Sequence, residues 1–268
     1  MAKTITLPDE WIWLEHTYAH HTPVLTPFAL EELMMKEVGL TGKAMIHIWR
    51  HPRAFVMGLR DSKLPFAKEA KQELEGKGFQ TSVRNSGGAA VPLDLGVVNI
   101  TIMLPKPQGA IDFHDDFERM FLLIRDALAA HSSEVAKGEV TGSFCPGDYD
   151  LSIGGRKFCG IAQRRQSKAL AVQAFNIVEG TGGDKAALAR AFYDKAAAGA
   201  DTGAYPLVAL DQMASLSDCL GPIESAVFTR CIRQRLEAGH VTDASASDFV
   251  KPEEVADMVS ALTQRYGI

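Results

Sequence analysis

Two periodicities divide the chain. Short runs in which apolar residues alternate or cluster, bounded by Gly, Pro, Asn or Ser, predict strands. They cover 44–50 (AMIHIWR), 54–58 (AFVMG), 79–84 (FQTSVR), 97–104 (VVNITIML) and 168–178 (KALAVQAFNIV). The first two flank a His51-Pro52 turn. YDLSI (149–153) and RKFCGIA (156–162) are joined by Gly154-Gly155, the signature of a β-hairpin with a two-residue turn. A helical period runs through 28–38, with Thr26 as N-cap, Pro27 in the first turn, Phe28, Leu33 and Met34 facing a core, and Gly39 as the stop. It returns at 66–78, 115–131, 184–198, 223–239 and 252–267.

No repeat and no long linker interrupts this order, so 1–268 reads as a single domain: an N-terminal arm over 1–27, a core over 28–220 and C-terminal helices over 221–268. The arm holds Trp11, Trp13, His16, His20 and His21 among three prolines and is expected to be irregular. Its histidines read as surface or core residues rather than a metal site. Lys106 to Phe113 reads as a loop. GTGGD (180–184) lacks the Lys-Ser/Thr of a phosphate loop and reads as a connection into a helix.

At 46% hydrophobic residues the 268-residue chain can bury a full core. A net charge of -5 excludes a nucleic-acid surface. No run is long and apolar enough to span a membrane, and the N-terminus lacks a signal peptide's apolar run. Four cysteines without metal-ligand spacing fit a reducing cytoplasm.

Two stretches carry candidate chemistry. Cys145 is followed by Pro146-Gly147, a turn that presents its thiol, and Lys157 opens the second hairpin strand. A loop thiol and a lysine are a plausible nucleophile and proton carrier. Hairpin register pairs Lys157 with Ser152, so the Cys145 loop must fold back over the sheet for the two to meet. In Arg84-Asn85-Ser86-Gly87-Gly88 the glycines let backbone approach a ligand closely. An ordinary hairpin loop is the simpler reading of Gly-Gly alone.

The Ser143-Phe144-Cys145-Pro146-Gly147 run, Asp150-Leu151-Ser152-Ile153, and Lys157 with Gly160 and Gln163 resemble the lipoate/octanoate protein ligase and transferase family, nearest its cysteine-dependent amidotransferase branch. The resemblance spans roughly residues 28–220. It implies an α+β fold: a mixed, largely antiparallel sheet flanked by helices, with a helical C-terminal portion. The order of strands and helices agrees. It implies an enzyme that moves octanoyl from the glycine cleavage system H protein to lipoyl domains of 2-oxoacid dehydrogenase complexes, with no cofactor, no nucleic acid and no membrane. Cys145 is then the acyl-thioester nucleophile. Lys157 lowers its pKa and serves as acid and base. Arg84, Ser86, Gly87, Gly88, Asp94, Gly160 and Gln163 bind substrate. Ala89 and Leu93 stand where the family's ligand loop has a third glycine and a histidine, a departure that fits a branch needing no nucleotide. An acyl-carrier-protein-dependent transferase, an ATP-dependent ligase and a noncatalytic lipoyl-domain binder are the alternatives.

Exchanging amide for amide needs no ATP, but the thioester between them is the less stable species. Burying about seven methylene-sized units at ~0.8 kcal/mol each offsets roughly 5 kcal/mol. An apolar slot is therefore expected, lined by the strands around Gly87, Gly88 and Val172. Backbone N–H groups of the Cys145 loop are candidates for the oxyanion. Alternation puts Cys159 on the Lys157 face, as a packed strand residue rather than the nucleophile. Arg164 and Arg165 are surface charges or an attraction for an acidic partner.

Overall fold

A computed structural model describes residues 5–106, 113–132 and 134–268. In chain order the first half contains β1 (Glu10–Thr17), α1 (Thr26–Thr41), β2 (Ala44–Arg50), β3 (Arg53–Met57), α2 (Ala67–Gly76), β4 (Gln80–Val83), β5 (Val91–Asp94), β6 (Val97–Pro105) and α3 (Phe113–Ala127). The second half contains β7 (Ala136–Lys137), β8 (Leu151–Ile153), β9 (Arg156–Arg165), β10 (Ala169–Ile177), α4 (Gly182–Ala196), α5 (Leu216–Leu220), α6 (Ser225–Leu236), β11 (His240–Asp243) and α7 (Pro252–Tyr266).

Eight strands form one sheet in the order β11-β1-β2-β6-β10-β9-β8-β7, and β4-β3-β5 form a smaller one. The pairs β1–β11, β1–β2 and β3–β4 are parallel and the rest antiparallel, the mixed α+β architecture expected. Its centre is β6 and β10, which pair from Val97–Ile177 to Pro105–Ala169. Both are apolar runs buried on two faces, so each face must be covered. One face packs Ile100, Ile102, Val172 and Ala174 against Met120, Leu123 and Ile124 of α3 and Phe228 and Ile232 of α6. The other takes Leu30, Met34 and Val38 of α1 against Met103 and Ala171, and beside them the small sheet with α4.

Several expectations are corrected. The N-terminal arm is not irregular: residues 10–17 are a strand between β2 and β11, with Trp11 and Trp13 buried on the α3/α6 face. The C-terminal portion is helical as expected, in α6 and α7, and β11 between them extends the sheet at β1. β5 and β7, each four residues or fewer, carried no readable period. Gly39 does not stop α1. It lies inside the helix where a Cβ would come within 2.8 Å of the Lys168 Cβ, and Gly42, at φ 73°, makes the left-handed C-cap. Nor does Thr26 cap α1: Leu25 holds that position. The strands on either side of His51-Pro52 form, but in different sheets. Gly154 and Gly155 have φ of 58° and 75°, both positive as a type I′ hairpin turn requires. Most of the expected Lys106–Phe113 loop lies outside the described residues.

Candidate active site

Cys145 lies between β7 and β8. Its φ of 50° is the only positive value among the described non-glycine residues, a conformation that surrounding structure must hold in place. Phe144, fully buried, stacks on Phe175 of β10 with ring centroids 5.6 Å apart. Lys157 of β9 donates from Nζ to the carbonyl oxygens of Phe144 at 2.9 Å and Cys145 at 2.6 Å. The loop therefore does fold back over the sheet. The third Nζ donor meets Asp150 Oδ1 at 2.8 Å, with 0% and 1% of the two side chains exposed. All three donors of the ammonium are engaged. Burial pushes the Asp150 carboxyl above its ordinary value, and the Lys157 charge opposes that rise.

The sulfur faces a different cation. Arg84, at the end of β4, donates from Nη2 to Cys145 Sγ at 3.2 Å and to the Ala89 carbonyl at 2.7 Å. The Ala89 N–H also points at Sγ, 3.2 Å away. Gly88 is obligatory here: its φ is 94°, and a Cβ would lie 2.3 Å from Arg84 Nη2 and 2.8 Å from Sγ.

A further layer sets this loop. Ala90 N–H donates to the Tyr193 hydroxyl at 3.1 Å, which donates to Asp61 Oδ1 at 3.0 Å. Asp61 Oδ2 accepts from Gly58 N–H at 2.7 Å. Burial raises both Asp61 and Tyr193 above their ordinary values, so Tyr193 keeps its proton. Asn85 Nδ2 donates to Glu32 Oε1 of α1 at 2.8 Å. Sequence reasoning had Asp150 only as a motif residue without a role, and missed Asp61, Tyr193, Phe175 and Glu32. The one available signal was Glu31-Glu32 inside the apolar stripe of α1: acids on a buried face need partners.

Below Cys145 a narrow slot enters the protein, with about 460 Å³ of empty space including its mouth. Its walls include Phe28, Trp49, Val56, Leu93, Gly160 and Phe175. A Cβ on Gly160 would come within 2.5 Å of the Phe175 ring. Above Cys145 an open cleft of about 1400 Å³ runs between the Asn85–Gly88 loop, Pro146–Tyr149, the start of α3 and Ile161–Arg165. Cys145 is in the wall of both.

The predicted site residues separate accordingly. Cys145, Lys157, Arg84, Gly88 and Gly160 converge. Ser86 and Gly87 border the cleft, with Ser86 Oγ buried and unpartnered. Gln163 lies in the cleft wall, donating to the Phe113 carbonyl at 2.8 Å. Asp94 stands outside both cavities, ion-paired to Lys185 and capping Gly96 N–H at 2.9 Å. Val172 is not in the slot: strand alternation turns it to the α3/α6 face, leaving Gln173 and Phe175 on the slot side. Alternation fails for Cys159 as well. The register moves from Lys157–Ser152 to Cys159–Leu151, so β9 carries an extra residue there. Gly160, paired with Phe175, shares the Lys157 side, and Cys159 packs in the opposite core with its thiol pushed well up by burial. Arg164 and Arg165 are not free charges, since each is ion-paired, to Glu32 and Asp116. Among the described residues no cluster of three His, Cys, Asp or Glu side chains suits a metal ion, and no helix is long and apolar enough to cross a membrane.

Residues 23–237 match the model of the lipoyl protein ligase A/B catalytic domain. An octanoyl-GcvH:protein N-octanoyltransferase of Geobacillus kaustophilus is 43% identical over 196 residues, 72% of this chain and 69% of that protein. The protein of the same name from Anoxybacillus flavithermus is 40% identical over 256 residues, 91% and 92% of the two chains. A crystal structure of lipoate-protein ligase A bound with ATP superposes with a TM-score of 0.70 at 16% identity, covering 97% of this chain and 95% of the other, a likeness of fold.

Proposed function

The chain belongs to the lipoyl protein ligase A/B catalytic domain family, and from that premise we propose that it is an N-octanoyltransferase working by amide exchange. It takes octanoyl from the lysine of octanoylated GcvH and delivers it to lysines of lipoyl domains of 2-oxoacid dehydrogenase complexes. The observation that supports this best is the position of Cys145 in the wall of both a narrow, largely apolar slot and an open cleft. The first is where an acyl chain would insert, and the second is the way in for a carrier's lysine arm.

In the first half-reaction the Cys145 thiolate attacks the amide carbonyl. A C–S bond forms, the C–N bond breaks, and the Lys157 ammonium gives a proton to the departing amine. Lys157 must release a loop carbonyl to do so. In the second half, neutral Lys157 takes a proton from the incoming lysine ammonium. The freed amine attacks the thioester, the C–S bond breaks and the thiolate leaves, and the proton shed by the new amide nitrogen passes to solvent, matching the one that the departed donor amine takes up. Leu93, in the slot wall where the family's ligand loop has a histidine, suits an acyl tail better than a nucleotide. We read 1–268 as one functional unit, since β11 extends the sheet at β1, and place it in the cytoplasm, where its four free thiols persist.

The test is intact-mass analysis after incubation with octanoylated GcvH, without ATP or magnesium. Wild type and Cys159→Ala should carry a hydroxylamine-labile octanoyl adduct, and Cys145→Ala none. An adduct that forms only from free octanoate with ATP would refute this reading in favour of a ligase.

A further inference from the structure

Arg84 is an anomaly of the site. It is 7% exposed, yet its hydrogen-bond partners are a carbonyl and a sulfur rather than a carboxylate. Its Nε is buried with no partner at all. A buried cation without an acid against it is costly, and a buried donor left unmade adds to the cost. Both costs fall away if an anion and an acceptor arrive together during the reaction.

The geometry points to Arg84 as a catalytic residue with two functions: Nη2 holds the Cys145 thiolate, and Nε receives the acyl oxygen as the tetrahedral intermediate forms. Nε and Nη2 share one edge of the planar guanidinium, so a donor stands beside the one already on sulfur. The carbonyl carbon under attack bonds to that sulfur, which brings its oxygen to the same edge. Ala89 N–H, also on Sγ, is the second donor of this arrangement. The inference rests on the proposed acyl transfer and reassigns one part of it. The charge against the thiolate comes from Arg84, while Lys157, committed to the Phe144 and Cys145 carbonyls and to Asp150, holds the loop and moves protons. The charged and titratable groups around the sulfur include Arg84, Lys157, Asp61 and Tyr193, and His114, Asp148, Arg164 and Arg165 stand in the wall of the same cleft. Asp61 reaches Arg84 only through space and is itself held by Gly58 and Tyr193.

No proton is transferred to or from Arg84 at any step. The thiolate's electron pair forms the C–S bond, the carbonyl π pair moves to oxygen against Nε–H, and on collapse that pair returns as the C–N bond breaks.

Two readouts test this on the full chain. The first is the pH profile of Cys145 alkylation by iodoacetamide in a Cys159→Ala, Cys219→Ala, Cys231→Ala background, which requires no acyl transfer. The second is the rate of acyl-enzyme formation from octanoylated GcvH. Arg84→Met should slow alkylation at pH 7 at least 10-fold, move its profile to higher pH, and slow acylation 100- to 1000-fold. Arg84→Lys, which keeps charge and loses the fork, should leave the alkylation profile near wild type while acylation stays slow. Lys157→Met should leave the alkylation profile closer to wild type than Arg84→Met does. An Arg84→Met profile superimposed on wild type would overturn the inference, as would a larger shift in Lys157→Met. If Arg84→Met does not fold, Arg84→Lys decides: acylation at the wild-type rate overturns it. Absence of any adduct on the wild type strikes the acyl-transfer reading, and the alkylation arm still judges Arg84 as the thiolate's partner.

Discussion

Lys157→Met separates a clamp from a proton carrier. The substitution keeps the length of the side chain and removes its charge. It leaves the Asp150 carboxylate, 1% exposed, without its cation, and frees the carbonyls of Phe144 and Cys145. Breaking a buried ion pair from one side costs about 3–5 kcal/mol. In a domain of this size that lowers Tm by roughly 6–20 °C. Adding Asp150→Asn removes the orphaned charge, so the double variant should recover most of the loss. About 1–2 kcal/mol remains for the two carbonyls. The pH dependence has a definite sign. Asp150 is raised in the folded state, so its contribution is fully present below the ordinary carboxylate value and is lost as pH rises through the folded value. Lys157 opposes that rise, so removing it lifts the folded value further. The deficit of Lys157→Met against wild type should therefore be largest near pH 7.5 and shrink toward pH 5. Thermal melts of the wild type and the two variants across that range measure it. A drop under 2 °C at pH 7.5, or a double variant no more stable than Lys157→Met, would refute the clamp.

Leu93→Phe should narrow the slot and switch acyl preference toward acetyl or butanoyl carriers, with octanoyl transfer falling at least 100-fold; competition between carriers of different chain length reads this out. Gly88→Ala forces a Cβ into Arg84 Nη2 and Sγ at a φ that disfavours it. Acyl-enzyme formation should fall by two orders of magnitude with a stability loss of only about 1–2 kcal/mol, compared by intact-mass time course and urea titration.

Much of the fold was legible because local patterns and tertiary needs coincide. The alternating runs at 97–104 and 168–178 are strands, and two adjacent glycines at 154–155 supply the two positive φ angles of a type I′ hairpin turn. Cys145-Pro146-Gly147 announced a turn, and resemblance joined it to Arg84 and the Gly87-Gly88 loop. Chain-distant pairing was not legible. Nothing local to Glu10–Thr17 says that it will lie between β2 and β11, because parallel neighbours are chosen by what else the sheet must bury. The extra residue in β9 was equally silent: alternation assumes an unbroken pleat, and a single bulge turned Cys159 away from Lys157. The largest revision concerns charge. Sequence supplied a cysteine, a lysine and an arginine, but which cation reaches the sulfur depends on side-chain directions fixed by three different elements. Lys157 is drawn to Asp150 and the loop carbonyls, and Arg84, held by the Ala89 carbonyl in the space that Gly88 leaves for want of a Cβ, takes its place at Sγ.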